Sequence, residues 1–545
     1  MALGTEQLIE AGLRQQLVQQ ALLQQVRLDA RKKRLDLMEL LCVEARLPLA
    51  SFHRAAASTR GLPYFEFAQL QSVDDALYKK LPQALMRRKG MLPVMWEGQL
   101  YLVTSDPDDR AGIDAVRRMI AQPVLLAYAE EQVIRMANAR LSSASAVAML
   151  ESATPGEVDL VQLLDRVFIE AYLRRSSDIH IMQDEYGLRI RFRVDGLLQD
   201  YIAEHAHDHQ VASGLISRIK VLANLDIAEQ REPQDGGMSY RLGMPINSEF
   251  NVRVATAPTR TGERITMRIL GQDAQDLTLE KIGMSAEDLD RFRQAIRKPF
   301  GMILLTGPTG SGKSTTLFAA LREINSPRIN IMTVENPIEY VIEGVSQIQT
   351  GAKIGFASAL RSLLRHDPDV MMVGEIRDEE TADTALKAAM TGHLVFSTLH
   401  TNTAAGCISR LADIGCEPFL IGSTMNAVIA QRLVRRLCGH CKRQSPASIE
   451  EKRWLALDEA AEVQLYRPVG CALCQGSGYR GRLGVFETLW FDDELGKKVS
   501  RGATEEEIEQ EAGDRLQPMW RDGANKIVAG VTTLDEVMKV TMKKA

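Results

Sequence analysis

Met302-Ile303-Leu304-Leu305-Thr306-Gly307-Pro308-Thr309-Gly310-Ser311-Gly312-Lys313-Ser314-Thr315 is the stretch that decides the fold. An apolar run ends, small residues let backbone N–H groups close on phosphate oxygens, and a helix begins with its positive dipole end facing the anion. This is the Walker A pattern with every spaced position filled, and it predicts that the chain binds a nucleoside triphosphate. Gly307, Pro308, Thr309, Gly310, Ser311, Gly312 and Thr315 are expected to form the cradle, Lys313 to reach the β- and γ-phosphates, and Ser314 to offer its hydroxyl to Mg²⁺. The bland alternative is a glycine-rich turn between a strand and a helix, and the complete spacing argues against it.

Downstream, apolar runs at Ile329–Val334, Val370–Val373 and Leu394–Thr398 alternate with helix-like segments. That rhythm predicts an α/β domain with a parallel sheet covered by helices, and ligands at the carboxyl ends of the strands. Glu375 follows the second of these runs at its tip, as an acid does in a Walker B strand, and Glu335 closes Ile331-Met332-Thr333-Val334. Two carboxylates near one magnesium triphosphate divide metal support and water polarisation between them, and the sequence does not say which does which. His393 and His400 bracket Leu394–Leu399; either an imidazole that senses the γ-phosphate or a satisfied strand-end histidine fits this placement.

Upstream, residues 157–270 change to two-residue alternation, as in Arg189-Ile190-Arg191-Phe192-Arg193-Val194, Phe250-Asn251-Val252-Arg253-Val254 and Ile265-Thr266-Met267-Arg268-Ile269. The apolar members face a core and the arginines share the opposite face, which is either simply solvated or suited to phosphate. Small and polar residues at 142–145 and 152–156 mark one boundary and the polar link at 271–276 another. Domains are therefore expected at 1–150, 157–270 and 277–545. In the first, Leu13, Leu17 and Ala21 recur at helical spacing, and Gln99–Val103 is expected to be a strand. Its amphipathic helices are expected to pack against their own domain rather than lie on a membrane.

A chain of 545 residues exceeds what one hydrophobic core serves, in keeping with several modules. The formal net charge of -5 gives no global attraction to nucleic acid, and 5% aromatic residues supply no basic stripe with interleaved rings, so no nucleic-acid partner is expected. No apolar stretch approaches the length of a membrane span, and the first residues carry Glu6, Glu10 and many glutamines, so a cytoplasmic location is expected. Of seven cysteines, Cys438, Cys441, Cys471 and Cys474 form two CxxC pairs separated by the 29 residues 442–470. Four thiolates at this spacing predict a closed, structural Zn²⁺ shell in a small insertion at 436–482, since no position is left for a reacting water. His440 is expected to be a bystander inside the first knuckle, and Cys42, Cys407 and Cys416 to be small buried residues.

With these residues in hand, the chain resembles the secretion ATPases of the type II secretion and type IV pilus assembly superfamily over residues 157–545. Ser176-Ser177-Asp178-Ile179-His180, Arg191–Gly196 and Pro233-Gln234-Asp235-Gly236 are similar to that family's second N-terminal domain. Thr333–Tyr340 resembles its Asp box, Leu364–Asp369 with Val373–Asp378 its Walker B box, and Thr391–His393 through Ser397–Asn402 its His box. The paired CxxC segment resembles assembly and secretion members more than most retraction members.

The resemblance implies a RecA-like P-loop ATPase domain, a preceding α+β, PAS-like domain, a mixed N-terminal partner or regulatory domain, and the zinc insertion. It implies ATP with Mg²⁺ as ligands and Glu335, Glu375 and His400 as catalytic groups. Arg253 and Arg268 would be arginines that the second domain presents to nucleotide, and Arg361 and Arg365 basic residues approaching the phosphates. A homo-hexameric ring, peripheral at the inner membrane through partners, would deliver domain rotation to a polytopic platform protein, for pilus assembly or type II secretion. Asn336 stands where the family usually has Asp, and the segment Gly351–Phe356 is short. Two alternatives are a regulatory or scaffolding subunit with weak hydrolysis, and a DNA-uptake motor. Arg34-Leu35-Asp36 is only a fragment of the Arg-Leu-Gly motif with which some relatives bind cyclic di-GMP, so that ligand is not expected.

Overall fold

The computed structural model describes residues 3–33, 37–45, 47–70, 72–120, 122–131, 133–135, 137–138, 159–185, 187–201, 209–243, 248–271, 278–351 and 353–541. The boundary segments 142–145 and 152–156, residues 272–276 of the second link, and Arg34-Leu35-Asp36 lie outside them. Two compact units emerge, one from residues 1–272, 438–442 and 468–480, the other from residues 273–437, 443–467 and 481–545. The insertion expected at 436–482 is thus shared, its cysteine knuckles grouping with the first unit.

The first unit begins with helices Thr5–Arg14, Gln20–Lys33, Leu37–Glu44 and Leu49–Ser58. They bury Leu8, Ile9, Leu23, Val26, Leu41 and Phe52 against one another, so their apolar faces are used inside the protein. The helical spacing of Leu13, Leu17 and Ala21 spans a break: the first helix ends at Arg14, Gln16 turns the chain with φ of 56°, and the second begins at Gln20. A small sheet follows, with β1 (Met91–Trp96) antiparallel to β2 (Gln99–Thr104) and β3 (Leu125–Tyr128) parallel to β2.

The next six strands are β4 (Ser176–Asp184), β5 (Gly187–Val194), β6 (Leu197–Tyr201), β7 (Gln234–Leu242), β8 (Ser248–Thr259) and β9 (Gly262–Leu270). They form one antiparallel sheet in the order β6-β5-β4-β9-β8-β7. Period-two alternation puts Ile190, Phe192, Val252, Val254, Ile265 and Met267 into a core with helices Leu160–Arg174 and His209–Leu222. The arginines between them are left on the other face, as alternation requires.

In the second unit, β10 (Gly301–Thr306), β11 (Ile331–Glu335), β12 (Ser346–Gln349), β13 (Val370–Val373), β14 (Leu394–Leu399), β15 (Met425–Leu437), β18 (Tyr479–Trp490) and β19 (Leu516–Gln517) make an eight-stranded sheet. Its order is β12-β11-β13-β14-β10-β15-β18-β19, and β10 to β15 pair in parallel throughout. Every residue of β10, β11, β13 and β14 is buried. Met302 and Leu304 join the core on one side of the sheet while Ile303 and Leu305 join that on the other, which is why these strands read as continuous apolar runs. β16 (Arg443–Pro446) and β17 (Gln464–Arg467) form a separate hairpin-like pair between the knuckles.

Candidate nucleotide site and candidate metal centre

The loop from β10 into helix Lys313–Ile324 holds Gly307, Gly310 and Gly312 at φ of 144°, 78° and 89°. Space as well as backbone sign demands glycine here: a Cβ on Gly307 would lie 2.5 Å from the carbonyl oxygen of Gln431, and one on Gly312 would lie 2.7 Å from Gln431 Nε2. Gln431, on β15, braces the loop from behind and accepts a 2.8 Å hydrogen bond from Thr316 Oγ1. Pro308, Thr309 and Gly310 are exposed, and Ser314 and Thr315 are half-buried on the first helical turn. The Ser311 hydroxyl is buried without a hydrogen-bond partner among the described residues. A backbone cradle at a helix N-terminus with an orphaned hydroxyl fits a phosphate group.

Lys313 Nζ donates to the carbonyls of Gly307 at 2.7 Å and Pro308 at 3.2 Å. Burial pulls its pKa down to about 8; Glu375 opposes that shift, and Arg432 adds to it. Glu375 is near enough to Lys313 to act on it electrostatically.

Glu335 ends β11 with a buried carboxylate that accepts from Thr333 Oγ1 at 2.5 Å and from Gln347 Nε2 at 2.9 Å. Burial pushes its pKa up, and these hydrogen bonds pull against it. The Gly374 N–H donates to the Val334 carbonyl at 2.8 Å, so β13 delivers Glu375 beside the tip that carries Glu335. Glu375 Oε2 lies 3.3 Å from His400 Nε2, and Arg377 reaches Oε1 at 2.5 Å. The two histidines that bracket β14 therefore part company. His400 stands with the acids at the carboxyl end, whereas His393 Nδ1 lies 2.9 Å from the Ala388 carbonyl, at the end of helix Glu379–Met390.

Arg361 pairs with Glu380, and Arg365 donates to the Arg361 carbonyl at 3.0 Å. Within the six-stranded sheet, cross-strand register aligns Arg193, Asp178, Arg268 and Arg253 in one row. The buried Asp178 carboxylate accepts from Arg268 Nε at 2.9 Å and lies 3.7 Å from Arg193 Nε, organising guanidinium groups that would otherwise repel. Arg253 stands 3.7 Å from Asp235 and is half-exposed, as is Arg268.

Cys438, Cys441, Cys471 and Cys474 converge, with all four sulfurs within 4.8 Å of one another. The separations Cys438–Cys471 and Cys441–Cys474 are both 3.8 Å, and Cys471–Cys474 is 3.7 Å. Sulfurs about 2.3 Å from a tetrahedral zinc stand roughly 3.8 Å apart, so the donor set fits that ion. Cys42, Cys407 and Cys416 are buried, as expected of small apolar residues. His440, as expected, is not among the clustered donors; its Nε2 lies 2.8 Å from Glu130 Oε1.

Two residues at the nucleotide loop have no motif to announce them. Gln431 fills the space behind Gly307 and Gly312, and Arg432 donates to the Asn402 side chain at 3.0 Å, tying β15 to the segment after His400. The only hint in the sequence is a polar pair that follows the apolar run Ala427–Ala430 midway along β15.

A family model described as Type II/IV secretion system protein matches residues 154–539, and one described as MshEN domain matches residues 60–148. Type II secretion system protein E of Pseudomonas aeruginosa is 41% identical over 492 residues, covering 86% of this chain and 97% of that protein. Type II secretion system ATPase E of Vibrio cholerae is 47% identical over 387 residues, 71% of this chain and 76% of the other. In fold the chain is similar to the Legionella pneumophila ATPase DotB, with a TM-score of 0.53 at 22% identity over 71% of this chain and 97% of that one. A P-loop with its acids on neighbouring strand tips, a family model over most of the length and relatives at this identity lead to one conclusion: the chain belongs to the Type II/IV secretion system protein family.

Proposed function

We propose that the chain is a Mg-ATPase motor that couples ATP hydrolysis to type II protein secretion or to assembly of a pilus. The observation that carries this reading is the convergence of a complete phosphate loop, Lys313 and the Glu375–His400 pair at the carboxyl end of one buried parallel sheet. Its relatives in Pseudomonas aeruginosa and Vibrio cholerae are named as type II secretion proteins, the latter as an ATPase, which favours secretion.

In this reading the backbone of residues 307–312 holds the phosphates, Lys313 neutralises the β–γ bridge, and Thr315 lines the first helical turn. Mg²⁺, when bound, neutralises charge on the transferred phosphoryl group; Ser314 would hold it, with Glu335 in support. Glu375 orients the attacking water, and His400 fixes the orientation of that carboxylate. Arg253 and Arg268 from the six-stranded domain, Arg361 from helix Phe356–Leu363 and Arg365 from the turn after it supply the positive charge that grips the nucleotide. A bidentate guanidinium suits that role, and the Asp178-centred row supports it.

Zn²⁺ is the ion proposed for the four cysteines, in a structural role. The chain works as a homo-hexameric ring at the cytoplasmic face of the inner membrane, recruited by a platform protein. No helix among the described residues is long and apolar enough to cross a membrane, which agrees with recruitment through partners. Replacing the chromosomal copy with Lys313→Ala tests the reading. Loss of secreted proteins from the medium, or of surface pili, is expected; retention of both overturns the motor role.

A further inference from the structure

Glu130 has no part in the motor reading, yet it is 6% exposed just beyond β3, where an unpaired carboxylate would be costly. Its Oε1 accepts from the Tyr64 hydroxyl at 2.5 Å and lies 2.8 Å from His440 Nε2. Its Oε2 is 3.7 Å from His53 Nε2, and His53 Nδ1 is 2.8 Å from the Tyr128 hydroxyl. Tyr64, Glu130, His53 and Tyr128 all come from the first 130 residues. His440 comes from the turn between two of the clustered cysteines.

Two further contacts of different chemistry join the same surfaces. The Leu49 N–H donates to the Gly439 carbonyl at 3.2 Å. Leu473, from the other knuckle, is buried in the core that contains Phe65, Leu70 and Val94, with Cys471 packed against it. One knuckle thus offers a polar contact and the other an apolar plug. The two lie 29 residues apart in sequence and meet at their sulfurs, 3.7–3.8 Å apart.

We propose that the paired knuckles are a metal-dependent bracket for the chain's own N-terminal domain, presenting His440 to Glu130 and Leu473 to an apolar socket only while the four sulfurs are held together. Ligand convergence fixes the spacing between the two contact surfaces, as a closed thiolate shell does in small domains that lack a sufficient core. Without it, the knuckles lose the tie through their sulfurs; the Cys438 N–H still donates to the Gly478 carbonyl at 2.9 Å, but His440 and Leu473 are no longer held at a fixed spacing and the composite docking surface is lost. The bracket adds a role to the insertion beyond the motor reading: β15, whose Gln431 braces the phosphate loop, ends at Leu437 and continues directly into Cys438.

The Leu49 amide is a direct reporter. Full-length protein with measured zinc content is followed by hydrogen exchange before chelation, after chelation and after zinc is restored. Stripping the metal is expected to speed exchange of the peptide containing Leu49 by about tenfold or more, reversibly, while β10 stays protected. Glu130→Ala and, separately, Leu473→Ala are expected to speed the same amide with zinc content unchanged. If either substitution unfolds the N-terminal domain, seen as lost protection in β2, the chelation arm on the unmodified chain decides. Unchanged exchange at Leu49 after complete metal removal overturns the proposal, as does unchanged exchange in both folded variants.

Discussion

His400 Nε2 lies 3.3 Å from Glu375 Oε2, and the other oxygen of that carboxylate is engaged by Arg377. A carboxylate held from both sides has a fixed direction, which a group that orients water requires. Glu375→Gln is expected to lower kcat by about a hundredfold or more while nucleotide still binds. His400→Ala, which frees one side of the carboxylate, is expected to lower kcat by about tenfold. Steady-state phosphate release beside equilibrium nucleotide binding checks both; an unchanged kcat in Glu375→Gln would contradict the assignment.

Gln431 gives the loop its back wall. Gln431→Ala removes the acceptor of the buried Thr316 hydroxyl and opens space behind Gly307 and Gly312. An unfolding free energy lower by about 1–3 kcal/mol is expected, together with a raised KM for ATP, because the cradle loses its support. Denaturant unfolding and initial-rate kinetics measure the two effects independently.

Lys313 supplies a pH dependence. Its pKa of about 8 is depressed by burial, and an anionic triphosphate favours the ammonium form, so the bound-state pKa is higher than the free one. The contribution of Lys313 to affinity is therefore fully present below about pH 8 and is lost as pH rises through that value toward the bound-state pKa. Calorimetry at pH 8.5 in buffers of differing ionisation enthalpy is expected to show proton uptake on ATP binding in the wild type and none attributable to this group in Lys313→Met. Identical proton balance in the two proteins would remove the lysine from the phosphate contact.

On the proposed reading, the arginines of the basic sheet face differ in role. Arg268 and Arg189 lie on the same face, but Arg268 is bonded to buried Asp178 whereas Arg189 pairs with exposed Asp200. Arg268→Ala is expected to lower kcat/KM by about tenfold or more, and Arg189→Ala to leave it unchanged. Equal effects from both substitutions would mean that the face acts only through its overall charge.

What the sequence made legible follows from how local each signal is. The phosphate loop, β13 with Glu375 and the cysteine pairs are written in contiguous spacing, and the structure brings their members together. Period-two alternation foretold the strands that carry Arg193, Arg253 and Arg268, but not that Asp178 lies between two of these arginines, because register is set by packing. The two histidines around β14 were equivalent in sequence and separate only once strand direction assigns each an end of the sheet. Gln431 and Glu130 carry no motif; one matters through the space behind two glycines and the other through a contact across 310 positions. Helical spacing at Leu13, Leu17 and Ala21 continued across a turn at Gln16 that no glycine or proline marks.

Phosphate release by the full-length protein with Mg-ATP, measured for the wild type and for Lys313→Ala under identical conditions, tests the motor most directly. A wild-type rate exceeding that of the variant by about a hundredfold or more is predicted, since the lysine carries charge that the transition state requires. A wild-type rate no higher than that of Lys313→Ala would contradict hydrolysis at this loop and, with it, the motor.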